Sequence, residues 1–334
     1  MGFAVAEDQE FTLPPLEERP LVTFALFAYN QEKYIREAVE GAFAQTYEPL
    51  EIILSDDCST DRTFEIMEEM AAGYSGRHRV RATRNFKNMG IAAHVHKIDS
   101  QATGALIVHA AGDDISLPHR TTQLVRHWLS FDKGPSVIVS NAETMTPEGI
   151  TDGTVVGREH ESCWINGKDN TFYSVLGCSL AVEKSLIEKF GPIDERIIAE
   201  DVVLYRRAEV SNGIFYIKEP LVKWRRHNAS VTHSGVGGRE RYLAWEKRWA
   251  TDTLRRIAQA ERDRSTINLS GSGYPITYTT LIHLKVFALE SNLLLACAKL
   301  SFLILSKRIN KLDAREIAKI ILVRLRLITP KRLQ

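Results

Sequence analysis

The sequence predicts an α/β protein with a mostly parallel central sheet. Short apolar runs rich in β-branched residues, at Leu21–Phe27, Leu50–Ser55 and Leu106–Val108, have the composition of buried strands. Segments with helical spacing separate these runs, and each run ends in polar or turn-forming residues. Strands that alternate with helices form βαβ units with right-handed crossovers, which place the strands in a parallel sheet.

The remaining elements follow from the same signals in chain order. Helices are expected at Glu32–Gln45, from Asp61, at Ile91–Ile98, at Pro118–Ser130 and from Glu200. Further strands are expected at Val80–Ala82, Val137–Ser140, Gly177–Val182, Ile214–Ile217 and Leu221–Trp224. Thr144–Asn170 is left unassigned, and Phe190-Gly191 indicates a helix end. Ser265–Pro275 is the expected linker to one or two packed helices and a last, basic amphipathic helix.

Composition and charge exclude several classes of protein. The 334 residues are 44% hydrophobic with a net charge of +1, so bulk nucleic-acid binding is not expected. Four scattered cysteines without a C-x-x-C pair predict neither disulfides nor zinc and fit a reducing cytoplasm. The first residues lack the pattern of a signal peptide. From Lys307 onward, nine basic residues face two acids, which predicts a basic tail.

Polar side chains follow three of the predicted strands. Tyr29, Asp57 and the pair Asp113-Asp114 each come just after a strand end. Ligands of parallel sheets bind at the carboxyl ends of the strands, so these groups are expected on one rim. Adjacent carboxylates repel each other unless a cation lies between them, and a divalent ion with oxygen ligands fits. A turn or a helix start would account for the same Asp-Asp pair, so the pair alone does not decide.

Several motifs, in this order, resemble the family-2 glycosyltransferases of the GT-A fold. The resemblance covers Leu21 to about Thr232, and the C-terminal part lies outside it. Its motifs are Ala28-Tyr29-Asn30, Ser55-Asp56-Asp57-Cys58-Ser59-Thr60-Asp61-Arg62-Thr63, Asn88-Met89-Gly90, Gly112-Asp113-Asp114, Phe190-Gly191-Pro192-Ile193-Asp194-Glu195, Glu200-Asp201 and Arg226-His227-Asn228-Ala229-Ser230. The resemblance implies a GT-A α/β/α sandwich at 20–262, after a lead-in at 1–19 and before a helical, basic region at 276–334.

The resemblance also implies roles for individual residues. Asp201 is expected to be the catalytic base, with Glu200 able to exchange roles with it, although two acids in a first helical turn are also ordinary. Asp114 is the expected ligand of Mn²⁺ or Mg²⁺, with His227 as a second metal-binding group. The nucleotide is expected to contact Ala28, Tyr29, Asn30, Asp56, Asp57, Asn88, Gly90, Asp113 and Arg226.

The implied activity is transfer of a sugar from a nucleotide-diphosphate donor to an acceptor hydroxyl, with inversion. UDP is the expected nucleotide, and a saccharide or a lipid-linked saccharide the expected acceptor, in synthesis of a bacterial surface polysaccharide or glycolipid. A non-catalytic nucleotide-sugar-binding scaffold and a sugar nucleotidyltransferase stay open as alternatives. No G-x-G-x-x-G or P-loop pattern supports an oxidoreductase or a P-loop enzyme. A cytoplasmic protein is expected, with peripheral contact to the plasma membrane through the basic C-terminal helix, and a homo-oligomer stays open.

Overall fold

The computed structural model describes residues 12–157, 162–165, 176–227 and 239–267. The chain divides into two compact units, Met1–Arg226 and His227–Gln334. In the second unit the described element is one helix, α7 (Arg239–Thr266). The expected boundaries at 19, 262 and 276 stay predictions, and the expected C-terminal helices lie outside the described residues.

The first unit alternates strands and helices as expected. Its strands are β1 (Val22–Ala28), β2 (Leu50–Asp56), β3 (Arg79–Arg84), β4 (Leu106–Ala111), β5 (Ile115–Ser116), β6 (Val137–Met145), β7 (Thr151–Val156), β8 (Cys163–Ile165), β9 (Ala181–Glu183) and β10 (Ile214–Arg225). Its helices are α1 (Ile35–Phe43), α2 (Thr63–Ala72), α3 (Ile91–Gln101), α4 (Arg120–Leu129), α5 (Lys184–Phe190) and α6 (Glu200–Glu209). The predicted α/β class is confirmed.

The strands form one sheet in the order β3-β2-β1-β4-β9-β6-β10-β5, with β7 beside β6 and β8 beside β10. The first four of these strands are parallel to one another. Strand β9 runs antiparallel to both β4 and β6, while β10 runs parallel to β6. The sheet is therefore parallel in one half and mixed in the other, and the carboxyl ends of β1, β2 and β4 share one edge.

Helices cover both faces of the parallel half. Residues Ile35 of α1, Met67 of α2 and Leu124 of α4 belong to one core cluster with alternate residues of β1 and β2. Helix α3 buries Val95 and Ile98 outside that cluster and contacts β1 and α5. Two apolar stripes on opposite faces of a sheet require this three-layer arrangement, because each stripe must be covered.

Three sequence expectations need correction in the mixed half. Gly177–Ser179 forms a 3₁₀ turn rather than a strand, and only Ala181–Glu183 pairs with neighbours. The two strands expected at 214–217 and 221–224 are one strand, with an irregular register around Pro220, which lacks a backbone N–H. The unassigned segment contains β7 and β8. Within the described ranges, no helix is long and apolar enough to cross a membrane.

Buried histidines predict loss of stability on mild acidification. Burial lowers the pKa of His94, which is 3% exposed, and burial also lowers the pKa values of His78, His96 and His127. A pKa that is lower in the folded state means that the unfolded chain takes up protons first, so stability is lost as the pH falls below about 6.5. Burial raises the pKa values of the Asp114, Glu183 and Glu209 carboxyls, which acts in the opposite direction, so the histidine contribution is measured by comparing urea midpoints at about pH 7 and pH 5 with those of a histidine variant.

The matching variant is His94→Gln, which removes one of these titrating groups. The urea midpoint at pH 5 minus that at pH 7 should be more positive in this variant than in the unmodified protein, because the variant lacks one group that destabilises the folded state on acidification. Carboxyl groups with lowered pKa values, such as those of Glu51 and Asp61, change the free energy of unfolding only in more acidic solution, below about pH 4.5. An unchanged pH slope in the variant would contradict the assignment to His94.

Candidate active site

The loops that follow β1, β2 and β4 are joined to one another by backbone hydrogen bonds. The N–H of Asp57 donates to the carbonyl of Ala28 at 2.9 Å, and the N–H of Gly112 donates to the carbonyl of Phe27 at 2.8 Å. The parallel ladders continue up to these residues, pairing Ala28 with Asp56 and Phe27 with Ala111. The polar residues that follow the three strands therefore lie side by side, as the sequence predicts.

Asn30 fastens the first of these loops to the second. Its φ angle is 53°, a left-handed conformation that asparagine tolerates better than most residues. Its side-chain oxygen accepts from the N–H of Thr60 at 2.8 Å, and its own N–H donates to the hydroxyl of Ser59 at 2.8 Å. The neighbouring Tyr29 is 45% exposed. Asn30 thus shapes the loop, and Tyr29 offers an aromatic face to a ligand.

The carboxylate of Asp57 is held by the loop between β3 and α3. It accepts from the side-chain N–H of Asn85 at 2.7 Å and from the backbone N–H groups of Met89 and Gly90 at 2.9 and 3.0 Å. Asn88 in turn accepts from the N–H of Gly90 at 3.0 Å. Each carboxylate oxygen has two acceptor positions, so Oδ2, which accepts from Gly90, retains capacity for a ligand N–H. Contact between Asp57 and a base stays a prediction.

Asp56 does not face the rim. Its side chain is 0% exposed and accepts from both the backbone N–H and the hydroxyl of Ser59. The guanidinium of Arg84 lies 3.3 Å from its Oδ2 atom. The expected contact between Asp56 and a nucleotide is therefore corrected: this carboxylate shapes the loop that carries Asp57, because its own oxygens are enclosed by protein.

The structure places Asp113 and Asp114 in different surroundings. Asp114 is 6% exposed, and its Oδ1 atom accepts from the backbone N–H of Arg225 at 2.8 Å. Burial, assisted by the charge of Asp113, raises the pKa of Asp114 to about 8, despite a hydrogen bond from the thiol of Cys178. Asp113 is only half-buried. The accessible carboxylate of the pair is thus Asp113, whereas the metal ligand expected from the sequence is Asp114.

Sequence reasoning missed Arg225, whose side chain is buried behind this loop. Its Nε donates to the carbonyl of Asp113 at 2.9 Å and its Nη2 to the carboxylate of Glu37 in α1 at 3.0 Å. Its Nη1 donates to the carbonyl of Pro147 at 2.8 Å, and the guanidinium lies over the ring of Tyr34 at 4.8 Å. Arg225 therefore ties the Asp113-Asp114 loop to α1 and to the turn between β6 and β7.

A second buried arginine, Arg120, holds the 3₁₀ turn that precedes β9. Its Nη2 donates to the carbonyls of His109 and Cys178 at 2.7 and 2.8 Å, and its Nη1 donates to the hydroxyl of Ser116. Burial lowers the pKa of Arg120 to about 10, against the opposing effects of Cys178 and Asp114. This anchoring places Cys178 beside Asp114 and fixes where the turn meets α6.

Helix α6 brings Asp201 to the same turn. A methyl group built on Gly177 would lie 3.0 Å from Oδ2 of Asp201, so the backbone of the turn packs against this carboxylate. Asp201 is half-buried, whereas Glu200 is 9% exposed. The turn therefore connects the carboxylate of Asp201 to the Asp113-Asp114 loop through Cys178. Of the two acids, Asp201 is the more accessible, and its role as the catalytic base stays a prediction.

Gly177→Ala tests this packing. The added methyl should displace the Asp201 carboxylate by a few tenths of an ångström, which is enough to weaken a proton transfer that depends on position. We expect kcat for hydrolysis of a sugar donor to fall about tenfold, with little change in donor KM. Gly153→Ala is the control, because nothing lies within 4 Å of a methyl built there, although its φ of 75° adds backbone strain. Equal kcat in the two variants would contradict the packing argument.

Arg226 and His227 follow Arg225 at the end of the first unit. Arg226 is exposed, its N–H donates to the carbonyl of Met145 at 3.0 Å, and its guanidinium lies 5.9 Å from the ring of Trp224. His227 begins the second unit, so its expected place beside the metal stays a prediction. The described residues contain no group of three His, Cys, Asp or Glu side chains that could hold a metal ion by themselves.

An α/β sheet with acidic loops at one edge defines a class of ligand-binding or catalytic domain, and comparison with known proteins identifies it. Residues 23–177 match the family described as glycosyl transferase family 2. Over these residues the resemblance, and with it the glycosyltransferase class expected from the motifs, is confirmed. An uncharacterized protein of Mycobacterium tuberculosis is 29% identical over 231 residues, which are 66% of this chain and 62% of that protein.

Two solved structures show the same fold at low identity. S. aureus TarS 1–349 in complex with UDP-GlcNAc has a TM-score of 0.55 and 16% identity, over 80% of this chain and 72% of that one. The mannosyltransferase PcManGT from Pyrobaculum calidifontis, in complex with GDP-Man and Mn²⁺, has a TM-score of 0.53 and 17% identity, over 96% of this chain and 84% of that one. The GT-A fold is therefore confirmed.

Proposed function

We propose that this protein is a metal-dependent, inverting glycosyltransferase that takes its sugar from a nucleoside diphosphate donor, with UDP as the nucleotide. The observation that carries the proposal is the assembly of Asp57, Asp113 and Asp201 around one edge of the sheet. The loops of β2 and β4 are joined through β1, and the 3₁₀ turn links the β4 loop to α6. A nucleotide, a diphosphate-bound cation and an acceptor hydroxyl need this set of three acids.

We assign the metal contact to Asp113 rather than to Asp114. Asp114 is 6% exposed and its Oδ1 already accepts from the backbone N–H of Arg225, whereas the carboxylate of Asp113 is half-buried at the edge of the sheet. Mg²⁺ and Mn²⁺ are commonly bound by one or two carboxylates together with substrate phosphates, so an accessible Asp113 without a complete protein cage fits such an ion. When bound, the ion would neutralise charge on the departing diphosphate.

Asp201 takes the role of general base. Its carboxylate would accept the proton from the acceptor hydroxyl while that oxygen attacks the anomeric carbon and the bond to the nucleoside diphosphate breaks. Glu200 is its alternative, Arg226 would add positive charge near the leaving group, and His227 is proposed as a second metal-binding group. One base and no covalent intermediate correspond to inversion at the anomeric carbon.

Two other functions are less well supported. A sugar nucleotidyltransferase would need a glycine-rich basic loop after β1 to hold a triphosphate, and Ala28-Tyr29-Asn30-Gln31-Glu32 contains neither glycine nor a basic residue. A binding scaffold would have no use for a positioned base, yet Asp201 is packed against a fixed turn. The proposal also includes a saccharide or lipid-linked saccharide as the acceptor and a role in surface polysaccharide synthesis. It further includes a cytoplasmic location, membrane contact through the C-terminal helix and assembly as a homo-oligomer.

A thermal-shift series tests the nucleotide and metal assignments together. UDP, GDP, dTDP and CDP are added with and without Mn²⁺ to the unmodified protein, to Asp113→Asn and to Asp114→Asn. A ligand that binds the folded state raises Tm in step with RT ln(1 + [L]/Kd). We expect one nucleotide to raise Tm only when Mn²⁺ is present. Asp113→Asn should abolish this rise, while its Tm without ligand stays nearly unchanged. Loss of the shift only in Asp114→Asn would return the metal contact to Asp114, and no shift with any nucleotide would contradict the proposal.

A further inference from the structure

A long segment of the first unit carries positive charge alone. Between Glu69 and Asp99 there is no acidic residue, while the same 29 positions contain six basic ones, namely Arg77, Arg79, Arg81, Arg84, Lys87 and Lys97. The whole chain has a net charge of only +1. Concentrated charge of one sign on a nearly neutral protein indicates a surface for an anionic partner rather than a general property of the protein.

The fold places this segment at the edge of the sheet. Strand β3 is the first in the strand order and pairs with β2, and the described residues provide no strand on its other side. Val80 and Ala82 pack against the core cluster, so their neighbours Arg79 and Arg81 point to the opposite face, where both are exposed. The strand thus presents two arginines to solvent in one row.

The cations of this segment differ in how they are neutralised. Arg77 pairs with Glu48, and Arg84 pairs with the buried Asp56. Among the described residues, no carboxylate lies within ion-pair distance of Arg79, Arg81 or Lys87, although Arg81 interacts electrostatically with the partly buried Glu51. These three cations are therefore available to an external anion.

An exposed aromatic residue follows the same strand. Phe86 is 84% exposed and is the most exposed of the large hydrophobic side chains described. Its loop is fastened at both ends, since Asn85, Met89 and Gly90 all donate to the carboxylate of Asp57. Lys87 lies beside it, with Nζ 5.8 Å from the centre of the ring. A fixed loop thus projects an aromatic ring and a cation into solvent, next to a row of arginines.

We propose that the exposed side chains of Arg79, Arg81, Phe86 and Lys87, here called the basic edge, form a docking surface for an anionic lipid bilayer. At about 3.3 Å per residue, β3 extends over roughly 17 Å from Arg79 to Arg84 before the loop that carries Phe86 and Lys87, which suits a flat partner. Cations near anionic headgroups and an aromatic ring at their level are the usual elements of peripheral binding. The basic edge belongs to a different stretch of the sequence from the basic C-terminal region, which begins at Lys307.

Protection of the sheet edge and binding of single-stranded nucleic acid each account for less of this surface. Charged residues on an edge strand prevent pairing with other chains, which accounts for Arg79 and Arg81 but not for a projecting Phe86. Single-stranded nucleic acid also combines cations with aromatic rings, but it is held by rings that stack on successive bases. The basic edge has one such ring, so a bilayer, into which a single apolar side chain can enter, is the better match.

Co-sedimentation of the full-length protein with lipid vesicles tests the proposal. Two kinds of vesicle are compared, phosphatidylcholine alone and phosphatidylcholine with about one third phosphatidylglycerol. We expect binding to the anionic vesicles only, weakening as salt is raised. The double variant Arg79→Gln/Arg81→Gln should bind about 25-fold more weakly, at about fivefold for each cation removed. Phe86→Ser should bind about tenfold more weakly, because an apolar ring no longer leaves water.

The matched control removes two exposed lysines elsewhere, as Lys33→Gln/Lys133→Gln, with the same change in net charge. This control should bind nearly as the unmodified protein does. Undiminished binding by the double arginine variant would assign attachment to another region and overturn the proposal, and so would equal binding to both kinds of vesicle. Tighter binding of a single-stranded oligonucleotide than of vesicles, lost in the same variants, would identify nucleic acid as the partner and also overturn it.

Discussion

Asp201→Asn should lower kcat for sugar transfer and for donor hydrolysis by about 10²- to 10⁴-fold, while nucleotide binding stays unchanged. The amide has nearly the shape of the carboxylate, so its packing against the 3₁₀ turn at Gly177 is kept. An amide cannot accept the proton of the attacking hydroxyl. Steady-state kinetics give the loss in kcat, and the thermal shift with nucleotide and Mn²⁺ reports binding in the same preparation.

The control for this prediction is Asp132→Asn, an exposed aspartate in the loop between α4 and β6. It should keep full activity, because its loop precedes β6, which runs in the same direction as β4, and so lies at the opposite edge of the sheet from the acidic loops. If Asp201→Asn retains activity and Glu200→Gln loses it, the two acids exchange roles. If both variants retain activity, neither acid is the base, and the transferase mechanism proposed for this edge is contradicted.

Arg225→Gln should lower the free energy of unfolding by about 2–4 kcal/mol, because a fully buried side chain loses hydrogen bonds to three acceptors at once. The arginine side chain is 0% exposed, and its removal leaves the carbonyls of Asp113 and Pro147 and the carboxylate of Glu37 without their donor. The Asp113-Asp114 loop would also lose its tie to α1, so the metal-dependent response to nucleotide should weaken. Urea unfolding measures the first effect, and thermal shift with nucleotide and Mn²⁺ measures the second.

Arg226→Gln provides the comparison at the adjacent position. Arg226 is exposed, and substitutions of this kind change stability by about 0.5 kcal/mol or less. Arg225→Lys keeps the charge but loses the fork geometry that reaches several acceptors at once, so its stability should lie between those of Arg225→Gln and the unmodified protein. Equal stability for Arg225→Gln and Arg226→Gln would mean that the buried contacts contribute nothing.

The parallel half of the sheet was accessible to sequence reasoning because local pattern determines it. Strand β2 is buried along its whole length, and the apolar residues at 50 and 52–54 indicate this directly. The 3₁₀ turn at Gly177–Ser179 was not accessible in this way. Its residues have the composition of a strand, but they are held by Arg120, 58 positions away along the chain, which binds the carbonyl of Cys178.

A contact that is distant in sequence also decides which of Asp113 and Asp114 is buried. Both are aspartates after a strand, and no local signal says which carboxylate turns inward. The decision comes from Arg225, whose N–H lies 111 positions away and draws the Asp114 oxygen into the interior. The sequence did contain a signal for Arg225. Side chains alternate along a strand, so Arg225 lies on the same face of β10 as Leu221, four positions earlier, which is buried. An arginine at a strand end, on the face that the alternation places inside, indicates a buried partner.

The contacts of Arg225 also determine which positions around it can be substituted without loss of its hydrogen bonds. Its partners at Asp113, Thr146 and Pro147 are main-chain carbonyls, which every amino acid provides. Substitution at 146 or 147 therefore leaves the acceptors in place, whereas Glu37 contributes through its own carboxylate. In evolutionary terms, these contacts constrain Arg225 and Glu37, whereas the residues of the turn at 146–147 are free to vary.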